Sequence, residues 1–261
     1  MARGAKRPER PLPPPLPPEK RTVGQLVAES IRLYGRHFVR ALPLGLFVAV
    51  INQLTTGAER STVTAALIVT APVFSAAYAY GAQLAVERRA PLGTWAVAIL
   101  AGSLVFVPAA LLFPWFALAA VLWLALVGLA VPAAIVEGTT FTQSLRRGLE
   151  LGRADYVHAA GSLATLVLLF FLTRAGLALL LQSQADNTVR TAIFLADTVV
   201  APLLFLGGAI LYVDQDARLR SRRERAIGKE RDADLPDADD THGEGSPDPP
   251  REPRAAGRGE S

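Results

Sequence analysis

Six nearly uncharged hydrophobic stretches, at about residues 38–56, 62–86, 95–113, 115–136, 157–181 and 190–213, constrain the fold of this chain more than any other feature. An apolar run of about 18 residues or more, at roughly 1.5 Å per residue, is long enough to cross a hydrocarbon layer of about 30 Å. In lipid every backbone N–H and C=O must be satisfied internally, which leaves helices or closed barrels. Barrel strands would alternate with a period of two, and the run 117–131 does not. The expected fold class is therefore all-α, an integral membrane protein with six transmembrane helices. Charged residues make up only 19% of the chain, 51% is hydrophobic and the mean hydropathy is +0.31, which excludes an ordinary soluble domain. The third and fourth stretches are separated only by Phe113-Pro114-Trp115, which leaves a tight hairpin or a re-entrant pair. Two full span lengths and a helix-breaking Pro at the join favour the hairpin.

Charge placement supplies an orientation. With six spans and an internal N-terminus, 24 of the 27 Lys and Arg residues fall on the inner side. Arg60 and Arg190 fall outside, and Arg174 lies within a span. Positive residues are retained on the cytoplasmic side, so both termini are expected there, in the cytoplasmic (inner) membrane. The high pI of 9.7 then reports topology rather than a nucleic-acid partner. Residues 1–21, with seven prolines among the first eighteen residues, read as a disordered cytoplasmic arm. Residues 22–217 form the membrane domain. Residues 218–261 read as a basic, then acidic, disordered cytoplasmic tail, with the i,i+4 pairs Asp214/Arg218 and Asp216/Arg220 carrying the last helix beyond the membrane. Arg88, Arg89, Arg146, Arg147, Arg218, Arg220, Arg222 and Arg223 are the expected contacts to lipid headgroups, with anionic lipids the favoured partners. Other membrane proteins are the second class of partner.

Residues 22–41 can be laid on residues 140–159 without a gap at an offset of 118. Thr22/Thr140, Gln25/Gln143, Leu33/Leu151, Val39/Val157 and Ala41/Ala159 are identical. Both copies place apolar residues at helical spacing among Arg and Glu, which predicts two amphipathic helices lying in the interface. Ala71-Pro72 and Ala201-Pro202 recur in the later helix of each copy. One reading is a parallel internal duplication, interfacial helix followed by two spans, with the third and fourth spans inserted between the copies. The other is the shared composition of interfacial helices.

The segments VGQLVAESIRLYGRHF, VPAAIVEGTTFTQSLRRGLELGRADY and ILYVDQDARLR resemble the bacterial multi-helix membrane domain that some proteins attach to glycerophosphoryl diester phosphodiesterases. The similarity covers roughly residues 22–223. In that family the last span ends in Tyr-x-Asp-x-Arg-x-Arg, whereas this chain carries Tyr212, Asp214, Asp216, Arg218 and Arg220, one acidic step more. The resemblance implies an all-helical membrane protein with no catalysis by the membrane part.

Chemistry-bearing residues are sparse. There is no Cys, and His37, His158 and His242 are too scattered to suggest a ligand set, so no metal or cofactor is expected. No phosphate-binding loop or nucleophile elbow is present, and no enzyme is expected. Arg174 and Asp197 stand out, because an ionisable side chain within a span is costly. Arg174 lies seven residues before the outer end of span five and Asp197 seven after the outer start of span six, equal depths in an antiparallel hairpin. An intramembrane ion pair follows, either stapling the hairpin or marking a substrate path. The function expected is that of a non-catalytic structural or assembly component working with lipids or membrane proteins. The alternatives are a small-molecule or lipid transporter with a cavity between the repeat halves, and an accessory subunit of a lipid-related enzyme.

Overall fold

The computed structural model describes residues 17–87 and 89–233. Arg88, residues 1–16 with most of the proline-rich arm, and residues 234–261 with the acidic tail and His242 lie outside the described residues. Among those described there is no strand. A single 3-10 turn, Pro18–Lys20, precedes ten helices: α1 (Val23–Arg36), α2 (Phe38–Thr55), α3 (Arg60–Val86), α4 (Leu92–Leu112), α5 (Ala117–Val127), α6 (Ala130–Glu137), α7 (Phe141–Ala154), α8 (Tyr156–Leu180), α9 (Asp186–Val200) and α10 (Pro202–Ala233). Six helical stretches are long and apolar enough to cross a membrane: α2, α3, α4, the pair α5–α6, α8 and the pair α9–α10. They coincide with the six stretches read from hydropathy.

The two amphipathic segments begin alike. Thr22 caps α1 in a box with Gln25, whose side-chain oxygen accepts the Thr22 N–H at 2.9 Å while Thr22 Oγ1 accepts the Gln25 N–H at 3.4 Å. At α7 the Gln143 side chain likewise accepts the Thr140 N–H, at 3.2 Å. Such boxes satisfy two of the donors that a helix start leaves unpaired. Both helices are 14 residues long, and α1 and α7, like the starts of α2 and α8, fall at matching positions under the offset of 118. Their surroundings differ, however. Helix α1 packs on α8, whereas α7 packs on α4, α5 and α6.

Proline accounts for two breaks in the spanning-length segments. Pro132 has no N–H to give the Gly128 carbonyl, and the fourth segment divides at Gly128-Leu129 into α5 and α6. Pro202 divides α9 from α10 in the same way. By contrast, Pro72 and Pro108 sit inside the continuous helices α3 and α4. The α4–α5 join is a tight turn, as the hairpin reading requires, and Trp123 Nε1 donates to the Val105 carbonyl across it at 2.9 Å.

Small residues let the helices approach. Ala71, Ser75 and Ala79 of α3 are fully buried, and a Cβ on Gly102 of α4 would stand 2.5 Å from Ser75 Oγ. A Cβ on Gly45 of α2 would lie 1.9 Å from the Thr198 carbonyl of α9, and one on Gly152 of α7 would lie 2.1 Å from the Leu126 carbonyl of α5. The small-residue faces are therefore spent on packing within the chain.

Two sequence expectations change at the termini. The arm ends sooner than residue 21, because Pro18–Lys20 is ordered as a turn and Arg21 takes part in the fold. The basic start of the tail is helical through Ala233 rather than disordered, consistent with its Arg, Ala, Glu and Lys content. The compact bundle closes at Ser221. Beyond it, Arg222 and Arg223 on the continuing α10 are exposed.

Gly152→Leu should lower the stability of the purified protein by about 2 kcal/mol or more, since overpacking against a backbone carbonyl has no side chain to displace. Gly176→Ala, inside α8 where nothing lies within 4 Å, should be neutral or stabilising by up to about 1 kcal/mol in the same thermal unfolding measurement in detergent. Equal losses at the two sites would refute this packing account.

Candidate functional site

Polar residues of α10 recur at every second position: Tyr212, Asp214, Asp216, Arg218 and Arg220. On a helix, a step of two residues is about 200°, so the five fall on two opposite stripes. The stripe 212/216/220 meets α6 and α7. Tyr212 OH donates to Glu137 Oε1 at 2.9 Å. Arg147 donates from Nε to Glu137 at 2.8 Å, from Nη1 to Glu150 at 3.1 Å and from Nη2 to Asp216 at 2.6 Å, and Arg220 pairs with Asp216. The stripe 214/218 faces the opposite way. Asp214, fully buried, accepts from Arg21 Nη1 at 2.9 Å. Arg218 donates to Asp155 Oδ2 and to the Arg21 carbonyl, both at 2.6 Å. Between the stripes, Gln215 donates to the Asp155 carbonyl at 3.0 Å.

This clasp joins the start of α1, the end of α6, α7, the α7–α8 junction and α10 at one end of the bundle. Burial alone would lower the Arg147 pKa. The hydrogen bond and charge of Glu137, with Glu150 and Asp216, instead hold it above its ordinary value, so the guanidinium remains charged.

The arrangement revises several expectations. Arg147 and Arg218, expected at lipid headgroups, are part-buried with protein carboxylates as partners, whereas Arg220 keeps the anticipated Asp216 pair and stays largely exposed. Asp214 pairs with Arg21 rather than with Arg218 four residues on, because Arg218 is drawn to Asp155. Of the remaining expected headgroup contacts, Arg146 and Arg89 are exposed, and Arg89 also lines a polar pocket of about 330 Å³ with Gln83, Thr94 and Glu137. Among the described residues no three His, Asp or Glu side chains converge to hold a metal.

The second feature lies deeper. A cavity of about 510 Å³ is walled by α2, α3, α4, α5, α8 and α10. Six of the chain's 11 phenylalanines line it: Phe74, Phe106, Phe113, Phe170, Phe171 and Phe205. Several are in ring contact, with Phe74 and Phe106 centroids 6.1 Å apart and Phe170 and Phe171 5.5 Å apart. Its one charged wall residue is Arg174, six residues from the end of α8 remote from the clasp.

The structure brings Arg174 and Asp197 together: Nη1 stands 3.3 Å from Oδ2. The same Oδ2 accepts from Asn52 Nδ2 at 3.0 Å. Asp197 is only 1% exposed and lies behind the cavity wall, whereas the Arg174 side chain is 25% exposed and forms part of that wall. The Arg174 guanidinium also stands 5.8 Å from the Phe170 ring centroid, in cation–π range. Equal depth in a hairpin was enough to anticipate this pair. Asn52, from a helix 145 positions away in sequence, left no comparable signal.

Compared with known protein families, curated proteins and solved structures, the chain matches none.

Two substitution series test these contacts. Arg21→Met strands the buried Asp214 carboxylate and should cost about 3 kcal/mol, while Arg21→Met with Asp214→Leu should recover most of it. No recovery in thermal unfolding would mean that the pair is not a unit. Asp197→Ala should be costly in the wild-type chain and much less so beside Arg174→Leu, with a coupling of about 1–3 kcal/mol in the double-mutant cycle. Strict additivity would argue against pairing.

Proposed function

We propose that this chain is a non-catalytic, multi-pass protein of the cytoplasmic membrane that binds a membrane amphiphile between its two halves. The observation carrying this reading is the 510 Å³ cavity, apolar over most of its wall and bearing a single cation. Pockets for small ligands span about 300–1,000 Å³ and combine apolar walls with a few placed polar groups. A polar solute would find too few partners here, and a tightly packed structural bundle would have no such space. The cavity therefore favours lipid binding over a purely structural or assembly role.

The internal duplication belongs to the same proposal. On that view α2–α3 and α8–α10 are the repeated spans, α4–α6 is the insertion, and the cavity sits where all three meet. The shared offset of 118 in helix boundaries and the Thr-x-x-Gln boxes support it. We also place the chain with the membrane domains associated with glycerophosphoryl diester phosphodiesterases. The support is the resemblance of the three segments alone; in the last of them Tyr212, Asp214, Arg218 and Arg220 all belong to one ionic clasp, although the chain carries one acidic step more than the family pattern there.

For orientation, the clasp end is assigned to the cytoplasm, because it gathers Arg21, Arg147 and Arg218, whereas Arg60 and Arg190 lie toward the other end. The chain has no Cys, so single replacements report cleanly. Ser183→Cys should be labelled by an impermeant thiol reagent on intact cells, and Arg146→Cys only after permeabilisation. The opposite pattern would invert the topology.

The binding reading is tested by lipid analysis of the purified protein. Ala110→Trp, placed in the cavity wall, should reduce tightly bound lipid at least several-fold with the bundle still folded. Unchanged lipid content would leave the cavity without a ligand and return the structural reading.

A further inference from the structure

We infer that the amphiphile taken by this cavity has an anionic head, a carboxylate or a phosphate monoester, held by Arg174, and one alkyl chain lying among the phenylalanine rings. The inference rests on the amphiphile-binding reading above and adds the chemistry of the ligand.

The argument begins with the unequal surroundings of the two charges. Asp197 is sealed behind the wall at 1% exposure, and its Oδ2 is shared between Asn52 at 3.0 Å and Arg174 at 3.3 Å. Arg174 borders the cavity itself. A guanidinium carries five N–H donors in a planar fork, and the contact with Asp197, Nη1 to Oδ2 at 3.3 Å, is an ion pair rather than a bidentate one. Arg174 forms part of a wall that is otherwise mostly apolar, and a guanidinium donor left unpaired in such a wall is costly. An oxyanion with two adjacent oxygens matches that fork bidentately, and such charge-assisted pairs are the strongest of the ordinary hydrogen bonds. A hydroxyl or an ester head offers a single weak acceptor and leaves the cost in place.

The position of Arg174 sets the direction of the ligand. It stands near the end of α8 remote from the clasp, level with Asn52 close to the end of α2 and with Phe113 at the α4–α5 turn. From there the wall continues past Phe170, Phe74 and Phe205 to Tyr78 and Gly208 at mid-bundle. The head therefore sits at the Arg174 end of the cavity and the chain points toward the clasp. A volume of about 510 Å³ is enough for one alkyl chain.

The test uses the full-length protein in an uncharged detergent, with oleate, oleyl phosphate and oleyl alcohol as probes, read by isothermal titration calorimetry or native mass spectrometry. Oleate, oleyl phosphate or both should bind at least tenfold more tightly than oleyl alcohol. Arg174→Gln should weaken the anions about tenfold and leave the alcohol unchanged, and Arg174→Lys should fall between. Because Arg174→Gln leaves Asp197 uncompensated, the charge-neutral pair Arg174→Gln with Asp197→Asn is measured alongside it and should lose anion preference equally. Tighter binding of oleate would assign a carboxylate head and tighter binding of oleyl phosphate a phosphate head; either supports the inference. Equal affinity for the alcohol and both anions, or equal loss of all three in the Arg174 variants, would overturn the anionic head while leaving the cavity reading intact. Failure of all three probes to bind, with Ala110→Trp indistinguishable from wild type, would overturn both.

Discussion

Everything at one end of this protein depends on how α10 disposes of its charges. A helix that carries polar groups at every second residue presents them on opposite sides, so it cannot be laid against a single neighbour without stranding half of them. Here each side is met by its own set: Glu137 and Arg147 for Tyr212 and Asp216, Arg21 and Asp155 for Asp214 and Arg218. The helix is consequently sandwiched, and the segments sandwiching it include both amphipathic helices' starting or ending points. Breaking a buried pair costs far more than forming it contributes, because the surviving charge is left desolvated. The clasp thus specifies position more than it adds stability.

The bundle is tight in some places and open in another for a related reason. Where glycine, alanine and serine face one another, as at Gly102 and Ser75 or Gly45 and Thr198, backbones come into direct contact. Where six phenylalanines converge, rigid rings on different helices meet tilted, as Phe74 does with Phe106 and Phe205, or stacked, as Phe113 does with Phe171, and do not interdigitate fully. The space they leave is walled by helices from both proposed halves and by the insertion. Its one cation, Arg174, lines the cavity near one end while its partner Asp197, 3.3 Å away, does not, so the polar group is placed at a single end of an otherwise apolar space.

Much of this was legible in the residues, and what was not shares one cause. The six spanning-length segments are properties of local composition, and the two amphipathic helices announced themselves through Thr-x-x-Gln followed by a helical apolar stripe. The Arg174–Asp197 pair could be reached by counting residues along a hairpin. Arg21 with Asp214, 193 positions apart, could not, and neither could Asn52 as a third member of the Arg174–Asp197 pair. The Asp214/Arg218 spacing even pointed the wrong way, because a favourable i,i+4 geometry yields to stronger partners brought in from elsewhere.

By itself, then, the sequence determined which segments are apolar helices, where the amphipathic ones start and which end of the bundle gathers positive charge, since hydropathy, capping and charge placement act over a few residues. Only the tertiary structure decided that Arg147 and Arg218, expected at lipid headgroups, are held by carboxylates, that α7 packs on α4–α6 while α1 packs on α8, and that six scattered phenylalanines and one arginine line one cavity. Those outcomes depend on which helices become neighbours, and adjacency in a bundle is settled by the joint demand that every buried charge and every close backbone approach be satisfied at once.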